Sequence, residues 1–341
     1  MVFCIKEIFL YSFNAVMPIL LMVLLGYFLK SVKFADDDFF KKANKLVFKV
    51  LLPVLLYVNI YKIKSLDDIN WECIAYCAVS ILLLCGIGYT VTKLFFKDRR
   101  QTGVITQCVF RSNYAIIGIP LAESLGGAQA VAFASVLSAI SIPIFNTLAV
   151  MLLSHYSEDE GKTSVKETVK KTLKNPLIIG VLLGVITVFI RNIIGYDESG
   201  NAVFSLQNDL PFLYEALSTI SKAASPVALI VLGARFDFSA ISSLKKQICT
   251  ATFMRLVFAP AFGIGLAFIL SNYTDLLQLS ATEYPALISL YATPVAVSSA
   301  VMTGEIGGDE QLAGQLVVWT SILSMFTMFI IIFVLKSLSL V

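Results

Sequence analysis

Long apolar runs separated by short polar stretches fill the chain, lying near 8–29, 39–60, 71–95, 103–122, 128–153, 173–192, 212–233, 246–270, 284–304 and 311–336. Each is about 20 residues or longer, the length a helix needs to cross roughly 30 Å of hydrocarbon. Inside lipid every backbone polar group must be paired within the protein, and the short alternating strands of a barrel are missing from the pattern. The pattern therefore predicts an all-α polytopic membrane protein with ten transmembrane helices.

Composition strengthens this reading. Of 341 residues, 57% are hydrophobic and 14% charged, against roughly 25% charge in an ordinary soluble domain. The mean hydropathy is +0.83. No basic patch interleaved with aromatic residues points to nucleic acid. The six cysteines, at 4, 73, 77, 85, 108 and 249, show no metal-ligand rhythm, and the one histidine, His155, leaves little for imidazole chemistry. Neither a metal nor an organic cofactor is expected. No serine-histidine, paired-acid or metal constellation marks an enzyme. The first span runs through Pro18 to Gly26 and Lys30 without a small-residue cleavage site, so it reads as a retained helix and not as a signal peptide.

Basic residues set the orientation. One side collects Lys30, Lys33, Lys41, Lys42, Lys45, Lys93, Lys97, Arg99, Arg100, Lys162, Lys166, Lys170, Lys171, Lys174, Arg235, Lys245 and Lys246; the other has Lys6, Lys62, Lys64, Arg191 and Lys336. The first side is expected to be cytoplasmic, in a multi-pass protein of the cytoplasmic (inner) membrane with both termini extracytoplasmic.

Punctuation residues repeat. Pro18 and Gly26 are spaced like Pro176 and Gly184, at an offset of 158; Pro53 and Pro226 match at 173; Gly126-Gly127 and Gly307-Gly308 match at 181. The steady increase is what insertions between matched elements produce. Residues 1–153 and 173–341 then form two five-helix repeats joined by a cytoplasmic linker, 154–172. Five is odd, so the second repeat is inverted relative to the first, as in many secondary transporters with a site at the bilayer midplane.

Spans 4 and 9 are the predicted broken, crossing helices. Span 4 reads Phe110-Arg111-Ser112-Asn113-Tyr114 and on to Gly118-Ile119-Pro120, so that Gly118 and Pro120 open it between about 113 and 119. Span 9 carries Thr293-Pro294 and then Ser298-Ser299, and the glycine register sets Pro294 opposite Asn113. Two exposed half-helix N-termini would attract an anion. The candidate substrate-binding residues are Asn113, Gly118, Pro120, Thr293, Pro294, Ser298 and Ser299. The alternative is a pair of proline kinks that only bend packed helices.

Embedded charges leave alternatives open. Arg111 and Lys222 either steer or balance an anionic substrate, or snorkel or pair with an acid to hold the bundle. Glu123 and Glu305 either carry protons in coupling or stay wetted near helix ends. Arg255 and Lys49 are expected to snorkel toward an interface. Asn14, Asn59 and Asn146, with the Trp319-Thr320-Ser321 to Ser324 stretch, are expected mainly to pack helices.

Phe110-Arg111-Ser112-Asn113 followed by Gly118-Ile119-Pro120-Leu121, with Lys174-Asn175-Pro176-Leu177, Ala292-Thr293-Pro294 and Thr320-Ser321 to Ser324, resembles the auxin efflux carrier family in its compact prokaryotic form. The resemblance covers nearly the whole chain. It implies a fold similar to bile-acid sodium symporters, a scaffold part of helices 1, 2, 6 and 7, and a transport part of helices 3–5 and 8–10. It also implies an organic-anion substrate, auxin in plants and dicarboxylates in bacterial relatives, with Asn113 and Pro294 at the crossing and a homodimer formed through the scaffold. The long hydrophilic loop of plant members is missing here. The expected function is a secondary active transporter of a small organic anion, mono- or dicarboxylate, working by alternating access. A transporter-like sensor that binds the anion without flux is the alternative. The expected partners are the anion and membrane lipid; the coupling ion, H+ or Na+, is left open.

Overall fold

The computed structural model describes residues 5–62, 70–156, 174, 176–195, 203–234, 244–280 and 282–341. The linker from residue 157 onward, Lys64, Asn175 and Arg235 lie outside the described residues, as does the side chain of Glu305. The protein is all-helical, and among the described residues its one β feature is an isolated bridge between Ser112 and Val295.

Besides a single turn at Leu206–Asp209, the elements are α1 (Ile5–Ser31), α2 (Asp37–Tyr61), α3 (Trp71–Phe95), α4 (Arg99–Phe110), α5 (Tyr114–Tyr156), α6 (Pro176–Ile194), α7 (Pro211–Ala234), α8 (Lys245–Tyr273), α9 (Glu283–Tyr291), α10 (Val297–Ile306) and α11 (Glu310–Ser337). By length and composition seven of the described helices can cross a membrane: α1, α2, α3, α5, α7, α8 and α11. Helix α5 bends at Gly127, whose φ of 62° is open to glycine and strained for other residues. Gly307, at φ 83°, ends α10, and Asp309 then caps α11 by accepting from the Leu312 N–H at 2.9 Å.

Two close helix pairs form one side of the molecule. Helix α1 lies on α7 so tightly that a Cβ on Gly26 would overlap the Ile230 carbonyl, and one on Gly233 would overlap the Val23 carbonyl. Helix α2 lies on α6 in the same way, with Gly180 against the Pro53 backbone and Gly184 against Ile60. Small residues allow this approach where lipid offers no hydrophobic drive for helix association. Their outward faces, such as Leu21, Phe28, Leu183 and Phe189, are exposed and apolar, the surface a lipid environment requires.

Three π-helical turns widen the spans at 47–51, 114–118 and 254–258. Each precedes a proline by two residues: Pro53, Pro120 and Pro260. A proline removes one i→i−4 bond and crowds the carbonyl four residues back, and a widened turn relieves both. Pro120 therefore acts differently from the expectation that it opens span 4 over 113–119. Residues 114–119 remain helical, widened at 114–118, and the helix is interrupted earlier, at 111–113. The interruption in span 9 lies at 292–296, around Pro294.

Candidate functional site

The two interruptions meet. Ser112 and Val295 pair as an antiparallel bridge, and the Asn113 N–H donates to the Pro294 carbonyl at 2.7 Å. Proline has no N–H to offer, so its carbonyl is the only backbone group it can contribute. The Val295 N–H is satisfied from α11 by Thr320 Oγ1 at 3.2 Å. Each segment enters a new helix directly after the crossing, α5 from Tyr114 and α10 from Val297.

A cavity of about 470 Å³ lies at these two helix starts. Tyr114, Ala115 and Ile116 line it from the first turn of α5; Ala296, Val297 and Ser298 line it from the start of α10. The first N–H groups of a helix lack intrahelical acceptors, and the helix dipole makes that end positive. Both half-helices thus present their positive ends to one space.

Side chains extend the same polarity. Arg111, buried at 2% exposure, lines the cavity; its guanidinium donates to Asn146 Oδ1 at 2.8 Å and to Ser298 Oγ at 3.0 Å. Lys41, Lys45 and Lys49 line it from α2, and none of its lining residues is acidic. Among the described residues the two ion pairs are Lys30–Asp37 and Lys42–Asp38, both on the exterior, so the Arg111 charge has no carboxylate partner there. Four buried polar atoms of the lining have no hydrogen-bond partner: Asn113 Nδ2, Asn146 Nδ2, Ser112 Oγ and Tyr114 OH. Leaving such atoms buried and unpaired is costly, and native structures rarely do so without a ligand, a water or a functional reason.

The predicted residues divide around this cavity. Asn113, Ser298 and Arg111 line it. Pro120, Glu123 and Lys222 line a second, larger cavity of about 1130 Å³, with Asn59, Gln129, Ser221 and Pro226. Gly118, Thr293, Pro294 and Ser299 belong to neither lining. Gly118 gives α9 room, since a Cβ there would approach the Ser289 carbonyl at 3.1 Å. Thr293 Oγ1 bonds back to Ser289 O at 2.8 Å, and Ser299 Oγ bonds to Ala296 O at 2.6 Å. Pro294 acts through its carbonyl, as described above.

Arg255 departs from expectation. It is fully buried instead of reaching an interface, because the crossing surrounds it with carbonyls: Nε donates to Thr293 O at 2.8 Å, one terminal nitrogen to Val109 O at 3.2 Å and the other to Leu290 O at 2.9 Å. Lys49 is exposed at the mouth of the 470 Å³ cavity. The lysine series on α2 is absent from the candidate site residues read from the sequence, and Asn146, for which packing is the favoured expectation, lines the cavity. The spacing Lys41, Lys45, Lys49 does place three cations along one helix face, a signal that was available.

The sequence profile of a family described as membrane transport protein matches residues 11–332. The chain belongs to this auxin efflux carrier-like family. It is 23% identical over 322 residues, covering 93% of this chain and 96% of the other, to an uncharacterized transporter of Methanothermobacter thermautotrophicus. It is 26% identical over 295 residues, covering 85% of this chain and 87% of the other, to an uncharacterized transporter of Methanocaldococcus jannaschii. Membership in the membrane transport protein family makes this a transporter-class membrane protein and not an enzyme.

Proposed function

We propose that this membrane transport protein is a secondary active carrier that moves a small organic anion, a mono- or dicarboxylate, across the cytoplasmic membrane by alternating access. The observation that carries the reading is the acid-free cavity at Asn113, where two half-helix N-termini, Arg111 and the unpartnered amide of Asn113 converge. A carboxylate would accept from these donors, and charge-assisted bonds of this kind are the stronger ones.

The carrier has ten spans in this reading, α4 with the first part of α5 making span 4 and α9 with α10 making span 9, arranged as inverted repeats 1–153 and 173–341 around the linker 154–172. Packing supports it. Gly26 abuts the Ile230 carbonyl, and Gly184 approaches the Tyr57 carbonyl at 3.3 Å. The offset that relates Pro53 to Pro226 also relates Tyr57 to Ile230, so the α1–α7 and α2–α6 contacts are counterparts. Spans 1, 2, 6 and 7 form the scaffold, through which two copies would pair, and spans 3–5 and 8–10 form the moving part. The lysine-rich ends face the cytoplasm and both termini lie outside. The 470 Å³ cavity then opens toward the lysine-rich side, and the 1130 Å³ cavity with Glu123 and Lys222 is the opposite vestibule.

Counterflow in proteoliposomes with a panel of radiolabelled mono- and dicarboxylates tests the proposal. Saturable exchange of at least one member is expected. Saturable binding with no exchange would make the protein a sensor, and neither binding nor exchange of any member would overturn the anion reading.

A further inference from the structure

The anion cavity uses only one pair of helix ends at the crossing. The other pair, the C-termini of α4 and α9, carries the opposite polarity, because the last carbonyls of a helix lack intrahelical donors and that end of the dipole is negative. In discontinuous-helix carriers such carbonyls commonly coordinate a coupling cation. Here they are already engaged. Val109 and Leu290 lie in the last turns of α4 and α9, Thr293 lies just beyond α9, and all three carbonyls accept from the Arg255 guanidinium.

Arg255 is fully buried, and among the described residues it has no carboxylate partner. A dipole amounts to about half an elementary charge at each helix end, so two converging C-termini balance one guanidinium without any acid. The planar fork suits the task, since it sends donors in several directions to carbonyls on two segments of the chain at once. A π turn at Met254–Phe258 places Arg255 there, ahead of Pro260.

We propose that Arg255 is the resident cation of the crossing: it permanently fills the carbonyl cluster that a dissociable alkali cation would otherwise occupy, so the crossing requires no sodium. The inference rests on the carrier reading for its transport consequence. Its structural half stands apart from that reading. Arg255 acts as a positioning residue, holding α4 and α9 while their partner helix ends face the anion.

The test has two arms. In the first, counterflow of the carboxylate panel is compared in sodium chloride and in choline chloride; initial rates are expected to agree within about twofold, and flux that vanishes without sodium would overturn the inference. In the second, which needs no flux, thermal unfolding of the purified full chain is followed in sodium, guanidinium and choline chlorides at about 10 mM, well below denaturing concentrations. The native protein is expected to unfold at one temperature in all three. Arg255→Gln is expected to unfold about 5 °C or more lower and to regain stability with guanidinium but not with choline. Selective stabilisation of the native protein by sodium, or a variant indifferent to guanidinium, would overturn the proposal. If Arg255→Gln does not fold, Arg255→Lys, whose own ammonium occupies the carbonyl cluster, is expected to fold with a smaller loss and without a guanidinium response, and an Arg255→Lys protein that fails to fold as Arg255→Gln does would overturn the proposal. Failure of every panel anion to bind or move would defeat the carrier reading alone, and the unfolding arm would still decide the role of Arg255.

Discussion

Asn113 and Pro294 are joined directly by a backbone hydrogen bond of 2.7 Å, and they are also the residues that the glycine register matches to one another. Counterparts in a two-fold arrangement touch only where the axis passes, so the proposed inverted repeat has its axis at this bond. The Asn113 backbone carbonyl accepts from Ile117 at 3.0 Å and Gly118 at 3.2 Å, and its buried side-chain Nδ2, a donor, has no partner. The backbone of Asn113 holds the crossing while its side chain remains available to a ligand. Asn113→Ala therefore keeps the backbone bond and removes the side-chain donor. It is expected to lower anion counterflow by about 10-fold or more, the worth of a hydrogen bond to a charged group, while the yield of folded protein stays near that of the native chain.

Arg111 tests the charge of the site separately. One terminal nitrogen donates to Asn146 and Ser298 while the other donates to Gln107 Oε1 at 3.5 Å and Met302 Sδ at 3.3 Å, and serving both sets at once takes a fork, which lysine lacks. Arg111→Lys is expected to bind the transported anion more weakly than the native protein, and Arg111→Gln more weakly still, by about 100-fold. Isothermal titration of the purified variants measures the order; equal affinity in all three would remove Arg111 from the site.

Lys41, Lys45 and Lys49 line the cavity mouth and are exposed, so their effect is one of attraction and is open to screening. The triple change to glutamine is expected to raise the half-saturating anion concentration while leaving the maximal rate near native. The salt sensitivity of the native protein is expected to shrink in the variant, since exposed charges lose influence beyond a Debye length of about 8 Å at physiological salt. Initial counterflow rates across a series of salt concentrations give both quantities.

The scaffold contacts make a prediction about stability. A Cβ on Gly233 would overlap the Val23 carbonyl, whereas nothing lies within 4 Å of one on Gly86. Gly233→Val is expected to cost about 2 kcal/mol or more through forced separation of α1 and α7. Gly86→Ala is expected to be neutral or slightly stabilising in its helix. Unfolding midpoints of the purified proteins compare the two.

Much of this arrangement is legible along the chain because it is local. Apolar run length marks where helices lie, although the runs 103–122 and 128–153 share one long helix, α5, and the paired glycines mark real turns, with positive φ at Gly127 and Gly307. Thr293-Pro294 marked a real interruption. The position of the first interruption was not legible from Pro120, because the helix absorbs that proline by widening over 114–118 and breaks earlier, at residues whose partners lie about 180 positions away in sequence. The burial of Arg255 is hidden from the sequence for a related reason. Its depth in a span predicts a cost, but the carbonyls that meet the cost come from α4 and α9, and their convergence is a tertiary fact. Ser298 and Ser299 look alike in sequence, yet one faces the cavity and the other bonds back to its own helix.

That last difference permits the most direct test of an anion held at the crossing. Cysteine is placed at Ser298 or at Ser299 in a chain whose Cys4 and Cys249 are serine, and the rate of modification by a small water-soluble thiol reagent is measured with and without a transported carboxylate. The account predicts that Ser298→Cys reacts and is protected by the carboxylate, with protection following its saturation of transport, while Ser299→Cys reacts slowly under both conditions. A Ser298→Cys protein that transports the anion yet reacts at the same rate in its presence and absence would contradict it.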